Sequence, residues 1–382
     1  MEWIIDYLTQ RSTKGLLRKL RVIDTVKKGK VTIGKKEYFD FSSNDYLGLR
    51  EHPALTKMGI KMSRDFGAGS CASRLMSGTL SIHEHLEKEI ATFKGKERGL
   101  LYNSGYQANI GIISAMVEAK DVVFSDRFNH ASIIDGVRLS GAKLYRYAHN
   151  NVHHLEDLLR KHRPHYRRSL IITESIFSMD GDRAPLKDIV ELKQNHNSFL
   201  LVDEAHATGI FGNHGSGVCE EDNVSDAIEI IMGTFGKALG SFGAYIATSE
   251  TIAHYLINSS RSFIYSTSLP PFVIGANLAA LEMVLNEGKR RRETLLDNAL
   301  FLRTEFEKMG LHTRGCSQII PVIIGNNKEV IKISQYLFDH GMLVVPIRPP
   351  TVPPGSARLR FSLTFHHKRE SLEMIRDLMK GY

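Results

Sequence analysis

Between Leu170 and Asp203 the chain spells a strand, a helix and a second strand, and that spacing does most to narrow its fold. Leu170-Ile171-Ile172-Thr173-Glu174 and Phe199-Leu200-Leu201-Val202-Asp203 stay largely apolar until an acid ends each run, the pattern of strands covered on both faces. Pro185 suits the first turn of a helix, Leu186, Ile189 and Val190 share one face, and Asn197 can end it before the second strand. A crossover of this length predicts parallel pairing with a right-handed connection. Residues 100–103, 122–126 and 230–234 read as further strands of the same kind. The fold class is therefore α/β, with a large domain at residues 39–275 built on a mostly parallel sheet and a smaller C-terminal α/β domain at 276–382. Residues 1–38 precede both as an arm, and 382 residues suffice for two cores.

Open α/β sheets carry their ligand chemistry beyond the carboxyl ends of the strands, and two of these ends hold reactive side chains. Asp203 closes one strand, with His206 three residues later. The run Ile230-Ile231-Met232-Gly233-Thr234 leads into Phe235-Gly236-Lys237-Ala238-Leu239-Gly240, a Gly-rich turn around a single lysine. Alone, that turn is an ordinary strand-to-loop bend with a solvated lysine. Acid, histidine and lysine together point to pyridoxal phosphate. The pyridine nitrogen of that cofactor must stay protonated to draw electrons from a carbanion, which a carboxylate at Asp203 would stabilise, and the amine of Lys237 would hold its aldehyde as a Schiff base.

Asp203-Glu204-Ala205-His206-Ala207-Thr208-Gly209 and Thr234-Phe235-Gly236-Lys237 resemble the two strongest signatures of the α-oxoamine synthases, a family of fold-type I pyridoxal phosphate transferases. Members join an amino acid to an acyl thioester with loss of carbon dioxide, and the likeness runs in order along nearly the whole chain. It implies catalytic roles for Lys237, Asp203 and His130, the last stacking on the cofactor ring. His206 would reach the ring's phenolic oxygen, Ser178 would add a hydroxyl contact, and Thr234 with Gly105 and Tyr106 would hold the phosphate. The Gly105 turn has a basis in the residues themselves: a strand stops before it, and Ile110, Ile113 and Met116 return to helical spacing after it. Free amides at such a helix N-terminus attract an anion. Ser266 and Thr267 match a loop that reaches the phosphate from the neighbouring subunit, which implies a homodimer with shared active sites. Read alone, Ser and Thr before Pro270 and Pro271 make a rigid turn.

On the substrate side the resemblance assigns Arg18 to the carboxylate of the acyl group and Asn44, with Tyr46 beside it, to substrate contacts in Phe39-Asp40-Phe41-Ser42-Ser43-Asn44-Asp45-Tyr46. Thr351 would touch substrate from the loop Ile347-Arg348-Pro349-Pro350-Thr351-Val352-Pro353-Pro354-Gly355, and Arg360 would take the amino acid carboxylate through two hydrogen bonds. That proline-rich loop favours the branch using L-alanine and a pimeloyl thioester, carried on coenzyme A or an acyl carrier protein. Sister branches take glycine with acetyl-CoA, or serine with a long acyl thioester. An ordinary aminotransferase would share Asp203 and Lys237 but release no carbon dioxide, and a binding protein on the same scaffold would hold no lysine-bound cofactor. Gly67-Ala68-Gly69-Ser70-Cys71-Ala72-Ser73-Arg74 loosely matches a dinucleotide fingerprint, but no strand precedes it. The family usually has glycines where Cys71 and Ala72 stand.

The net charge of +8 gathers at residues 14–36, 160–168 and 289–292. These runs lack interleaved aromatics, so they read as solvated faces, in part able to attract a polyanionic substrate, and not as a nucleic-acid surface. Cys71, Cys219 and Cys316 are too scattered for a disulfide framework or a metal cluster, which suggests a cytoplasmic protein in which they are small buried packing residues. No apolar run reaches membrane-spanning length, and the acids in Met1-Glu2-Trp3-Ile4-Ile5-Asp6 fit neither a secretory signal nor a transit peptide. In the arm, Ile5, Leu8, Leu16, Leu17 and Leu20 predict a helix, followed by a hairpin turning at Gly34. In the small domain, residues 319–324 and 357–363 read as strands, and 330–338 and 372–379 as helices.

Overall fold

The apolar runs pair into one sheet in the order Arg98–Tyr102, Ala244–Thr248, Ile230–Thr234, Phe199–Asp203, Ser169–Glu174, Val122–Asp126, Lys143–Tyr147. From Ile230–Thr234 onward the strands are parallel, as the crossover spacing predicts, whereas Ala244–Thr248 runs antiparallel to both its neighbours. Every residue of Val122–Asp126, Ser169–Glu174 and Ile230–Thr234 is buried, which is why these strands show no polar alternation. Register sets Glu174 beside Asp203 and Asp203 beside Met232, so that Asp203 and Thr234 emerge at the same carboxyl edge. The sheet belongs to a unit of residues 49–177 and 183–292 in the computed structural model, which describes residues 1–381.

Two helices bring chemistry to that edge. Gly105–Met116 starts directly after the first strand, with Ser104 Oγ accepting from the Gln107 N–H at 3.2 Å. Ala131–Ser140 is capped by the ring of His130, whose Nδ1 faces the Ser132 N–H at 3.3 Å. The helices lie close because position 136 is glycine. A Cβ there would stand 3.0 Å from both Asn109 O and Ile113 Cβ. Ile112, Ile113, Val137, Ile172 and Leu201 form part of the apolar core behind them.

The second unit gathers residues 1–48, 178–182 and 293–382, so that its parts come from three separate stretches of chain. Thr25–Lys27, Lys30–Ile33 and Lys36–Asp40 form an antiparallel meander, which Met342–Leu343 extends in parallel. Ile319–Gly325, Ala357–Ser362 and Pro346–Ile347 make a second, antiparallel sheet, in which Ala357–Ser362 is central and wholly buried. Helices Asn327–Asp339 and Arg369–Lys380 cover the two stretches read as helical from the sequence.

Several expectations are corrected. The N-terminal helix is Glu2–Thr13 and excludes Leu16, Leu17 and Leu20. Gly15, at φ +63°, reverses the chain there, and the Leu16 N–H caps Arg11 O at 2.7 Å. The hairpin turning at Gly34 forms between Lys30–Ile33 and Lys36–Asp40, and Thr25–Lys27 adds a third strand to it. Cys71 and Cys316 are exposed, leaving only Cys219 as a buried packing residue. The basic run at 289–292 is not wholly solvated either, since Arg291 and Arg292 are buried and Arg292 Nη2 donates to Asn213 O at 2.8 Å. Among the described residues no helix is long and apolar enough to cross a membrane, and no cluster of side chains could hold a metal ion.

Candidate active site

The sheet unit brings Lys237, His206, Asp203 and His130 together. Lys237 stands half-buried in the turn after Ile230–Thr234, its Nζ 2.8 Å from His206 Nε2. That turn is fixed by Thr234, whose hydroxyl donates to Gly243 O at 2.8 Å and accepts from the Gly236 N–H at 3.1 Å. Asp203 is buried, with Oδ1 accepting from the Ala205 N–H at 2.9 Å and Oδ2 from Asn109 Nδ2 at 3.0 Å. His130 keeps one side exposed, while its Nδ1 lies inward, 2.8 Å from Ser132 Oγ. Burial of that inner side lowers its pKa, with Asp203 pulling the other way and the charge of Lys237 reinforcing the shift.

Gly105 and Tyr106 begin the helix whose first amides have no intrahelical partner. A Cβ on Gly105 would meet only Met232 at ordinary contact distance, so nothing inside the chain demands glycine there. Tyr106 is exposed and donates its hydroxyl proton to Asp135, with its ring edge-on to His130 at 6.4 Å. Ser266 is half-buried and Thr267 exposed; Asn103 Nδ2 donates to Thr267 O at 2.9 Å, in the chain's own loop. The segment carrying Cys71 and Ala72 is laced to the same loop, since Ser268 N donates to Ala72 O at 3.0 Å.

Ser178, Arg360, Asn44, Arg18 and Thr351 fall in the other unit. Arg360 is buried, and Nε donates to Ser178 O at 2.6 Å. Both its terminal nitrogens reach Asn44 Oδ1 at 3.3 Å, Nη2 also donates to Tyr46 Oη at 3.2 Å, and Nη1 donates to Ser362 Oγ. Ser178 thus serves this arginine through its carbonyl. Arg18 Nη2 donates to Thr351 Oγ1 at 2.9 Å, with both side chains exposed.

Reading the sequence missed Asn109, Ser132 and Lys94. The first two lie a few residues from Gly105, Tyr106 and His130, but only the close approach of two helices at Gly136 brings them into contact. Lys94 lies far from any motif and meets Glu204 Oε2 at 2.7 Å in complete burial.

An amine, an oriented buried acid, a helix N-terminus and a threonine hydroxyl match in kind the aldehyde, ring nitrogen and phosphate of pyridoxal phosphate. A family model described as aminotransferase class I and II matches residues 36–377. A curated relative from Citrifermentans bemidjiense, named 8-amino-7-oxononanoate synthase, is 47% identical over 98% of this chain and 96% of its own. One of the same name from Geotalea daltonii is 45% identical over 98% and 95%. Among solved structures, serine palmitoyltransferase from S. paucimobilis with bound PLP and myriocin superposes at a TM-score of 0.93 with 29% identity, covering 99% of this chain and 96% of that one. The chain belongs to the 8-amino-7-oxononanoate synthase family, pyridoxal phosphate-dependent acyltransferases on the class I and II aminotransferase fold.

Proposed function

We propose that the protein condenses L-alanine with a pimeloyl thioester, releasing carbon dioxide and the free thiol and giving 8-amino-7-oxononanoate for biotin biosynthesis. The observation that carries this reading is the amine of Lys237, 2.8 Å from His206 Nε2, in a unit where buried Asp203 closes a neighbouring strand. Bound pyridoxal phosphate supplies an aldehyde for an amine and an electron sink for the charge left at the alanine Cα. Lys237 Nζ takes the Cα proton and later returns one. Asp203, oriented by Asn109 and Ala205, pairs with the ring nitrogen, and His206 with the phenolic oxygen. The Gly105 and Tyr106 amides would hold the phosphate, joined by the Thr234 hydroxyl once its hydrogen turns from Gly243 O, and His130 would offer its ring for stacking.

Arg360 has the makings of a carboxylate receptor and takes the amino acid carboxylate in this reading. Arg18 and Thr351, already in contact, take the far carboxylate of the pimeloyl group. Coenzyme A and an acyl carrier protein are both polyanionic, and the net charge of +8 suits either. The homodimer, with Ser266 and Thr267 reaching a neighbour's phosphate, belongs to the same reading, as does a cytoplasmic location. Helix Glu2–Thr13 buries none of its residues and leaves Trp3 74% exposed, a surface that a second copy would cover.

The test is a panel of acyl thioesters incubated with alanine, glycine and serine, with product masses recorded. Pimeloyl thioester with alanine should give the 8-amino-7-oxononanoate mass. A ketone from glycine and acetyl-CoA alone, or from serine and a long acyl thioester alone, refutes the substrate assignment. Light scattering at the monomer mass refutes the dimer.

A further inference from the structure

The hydroxyl of Ser132 is fully buried and has two side-chain neighbours, Asn109 Nδ2 at 3.0 Å and His130 Nδ1 at 2.8 Å. The orientation of Asn109 is settled by Asp203. A carboxylate oxygen at 3.0 Å accepts and does not donate, so the amide must turn its NH2 toward it, although that leaves the buried Asn109 Oδ1 without a partner. The second hydrogen of the same NH2 then points to Ser132 Oγ. With Oγ accepting from the amide, its own hydrogen has one acceptor in reach among the described residues, His130 Nδ1. The Ser132 backbone N–H is aimed at that nitrogen too, at 3.3 Å. A ring nitrogen that accepts two donors carries no proton, so the hydrogen of the neutral imidazole sits on Nε2. The opposite tautomer would leave a buried hydroxyl hydrogen with nowhere to go.

We propose that Asn109 and Ser132 are positioning residues that relay the orientation imposed by Asp203 to His130 and fix its ring as an outward Nε2–H donor. Asn109 donates in both directions, to Asp203 and to Ser132, and Ser132 donates on to His130, so the carboxylate at the far end decides which way each of the three hydrogen bonds runs. Burial of the inner side of the ring favours the neutral form on which this depends. The tautomer stands on geometry alone; its use in the reaction rests on the function proposed above. There, His130 can donate a hydrogen bond to a substrate oxygen but has no free lone pair for a base, which leaves the return of the Cα proton to Lys237 Nζ.

Nitrogen NMR of the holoenzyme with isotope-labelled histidine rings reads the tautomer directly, with His130→Gln used only to identify the signals. Wild-type protein at neutral pH should show a pyridine-type Nδ1 and a pyrrole-type Nε2 at His130. In Ser132→Ala the Nδ1 signal should move toward the pyrrole type, while kcat falls roughly tenfold and the KM for alanine and the cofactor affinity stay within about twofold. A pyrrole-type Nδ1 in the wild type overturns the proposal even if the variant does not fold. An unshifted tautomer in Ser132→Ala overturns the relay. Should the tautomer be as stated while the thioester panel yields no product, the proposed reaction fails and the relay survives.

Discussion

Removing the amine of Lys94 tests how the bend that carries Asp203 and His206 is held. Lys94 and Glu204 have no exposed side-chain surface and meet at 2.7 Å. The amine also donates to Thr208 Oγ1 at 3.0 Å and to Ser216 O, while the second carboxylate oxygen accepts from the Cys219 N–H at 2.9 Å. Space for that carboxylate exists only because Gly217, at φ +142°, has no Cβ; one built there would lie 2.3 Å from Oε2. Burial works to lower the pKa of Lys94, but the adjacent charge of Glu204 outweighs it, and the amine is held above the ordinary lysine value. Lys94→Met keeps most of the volume and strands a carboxylate in the interior, which costs about 3–5 kcal/mol. At roughly 2–4 °C per kcal/mol for a domain of this size, the Tm falls on the order of 10 °C. Glu204→Gln in the same chain removes the stranded charge, so the double variant should recover part of the loss, by about 1 kcal/mol or more. Circular dichroism follows the fold, and the visible band of the bound cofactor follows the bend. A Lys94→Met loss below about 1 kcal/mol, or a double variant as damaged as the two losses added, would refute a dry, coupled pair.

Arg18→Ala should leave the Tm within about 2 °C, because the side chain is exposed, while the KM for the thioester rises several-fold; an unchanged KM removes Arg18 from the acyl carboxylate. Burial and the charge of Arg74 lower the pKa of His83 from 6.5 to about 4, and burial lowers that of His367 from 6.5 to about 3. Both are neutral in the fold while the unfolded chain binds protons, so stability is complete above pH 6.5 and falls on acidification toward pH 4, by up to about 1.4 kcal/mol per pH unit for each. Equilibrium unfolding across that window should slope accordingly and flatten in His83→Gln; a flat wild-type profile contradicts the assignment.

The parallel part of the sheet was legible because strands covered on both faces are largely apolar, and that leaves short apolar runs, polar only toward their ends, at residues 122–126, 170–174, 199–203 and 230–234. The helix expected after Pro185 appears as Leu186–Asn195 for the same reason, one apolar face against the sheet. Asp203, His206 and Lys237 were legible because strand ends are where such a sheet presents side chains. Asn109 and Ser132 were not. Each is a small polar residue inside a helix, and their meeting depends on how closely two helices pass at Gly136, a distance no local spacing encodes. The end of the first helix was misjudged because leucines continue the period past Gly15, where the backbone turns away.

Arg358 and Arg360 show most sharply where sequence stops. Two residues apart on one strand, they share a face, and nothing in the pattern says which of them answers to a ligand. Both are buried, at 1% and 7% exposed. Arg358 Nη1 meets Asp180 Oδ1 at 2.7 Å, so its charge is balanced within the chain. Among the described residues the partners of Arg360 are a backbone carbonyl, an amide oxygen and two hydroxyls, none of them charged. A buried guanidinium without a counterion costs several kcal/mol, so the fold gives up stability at position 360 that an incoming carboxylate would restore. The two arginines should therefore fail in opposite ways. Arg358→Met leaves Asp180 short of its closest partner and should cost about 3 kcal/mol, with the KM for alanine little changed in the folded fraction. Arg360→Met should hold or raise the Tm while kcat/KM for alanine falls roughly 100-fold, and Arg360→Lys, which lacks the planar fork, should recover little of it. Equal losses of stability in both variants would mean that position 360 is structural and that the amino acid carboxylate is bound elsewhere.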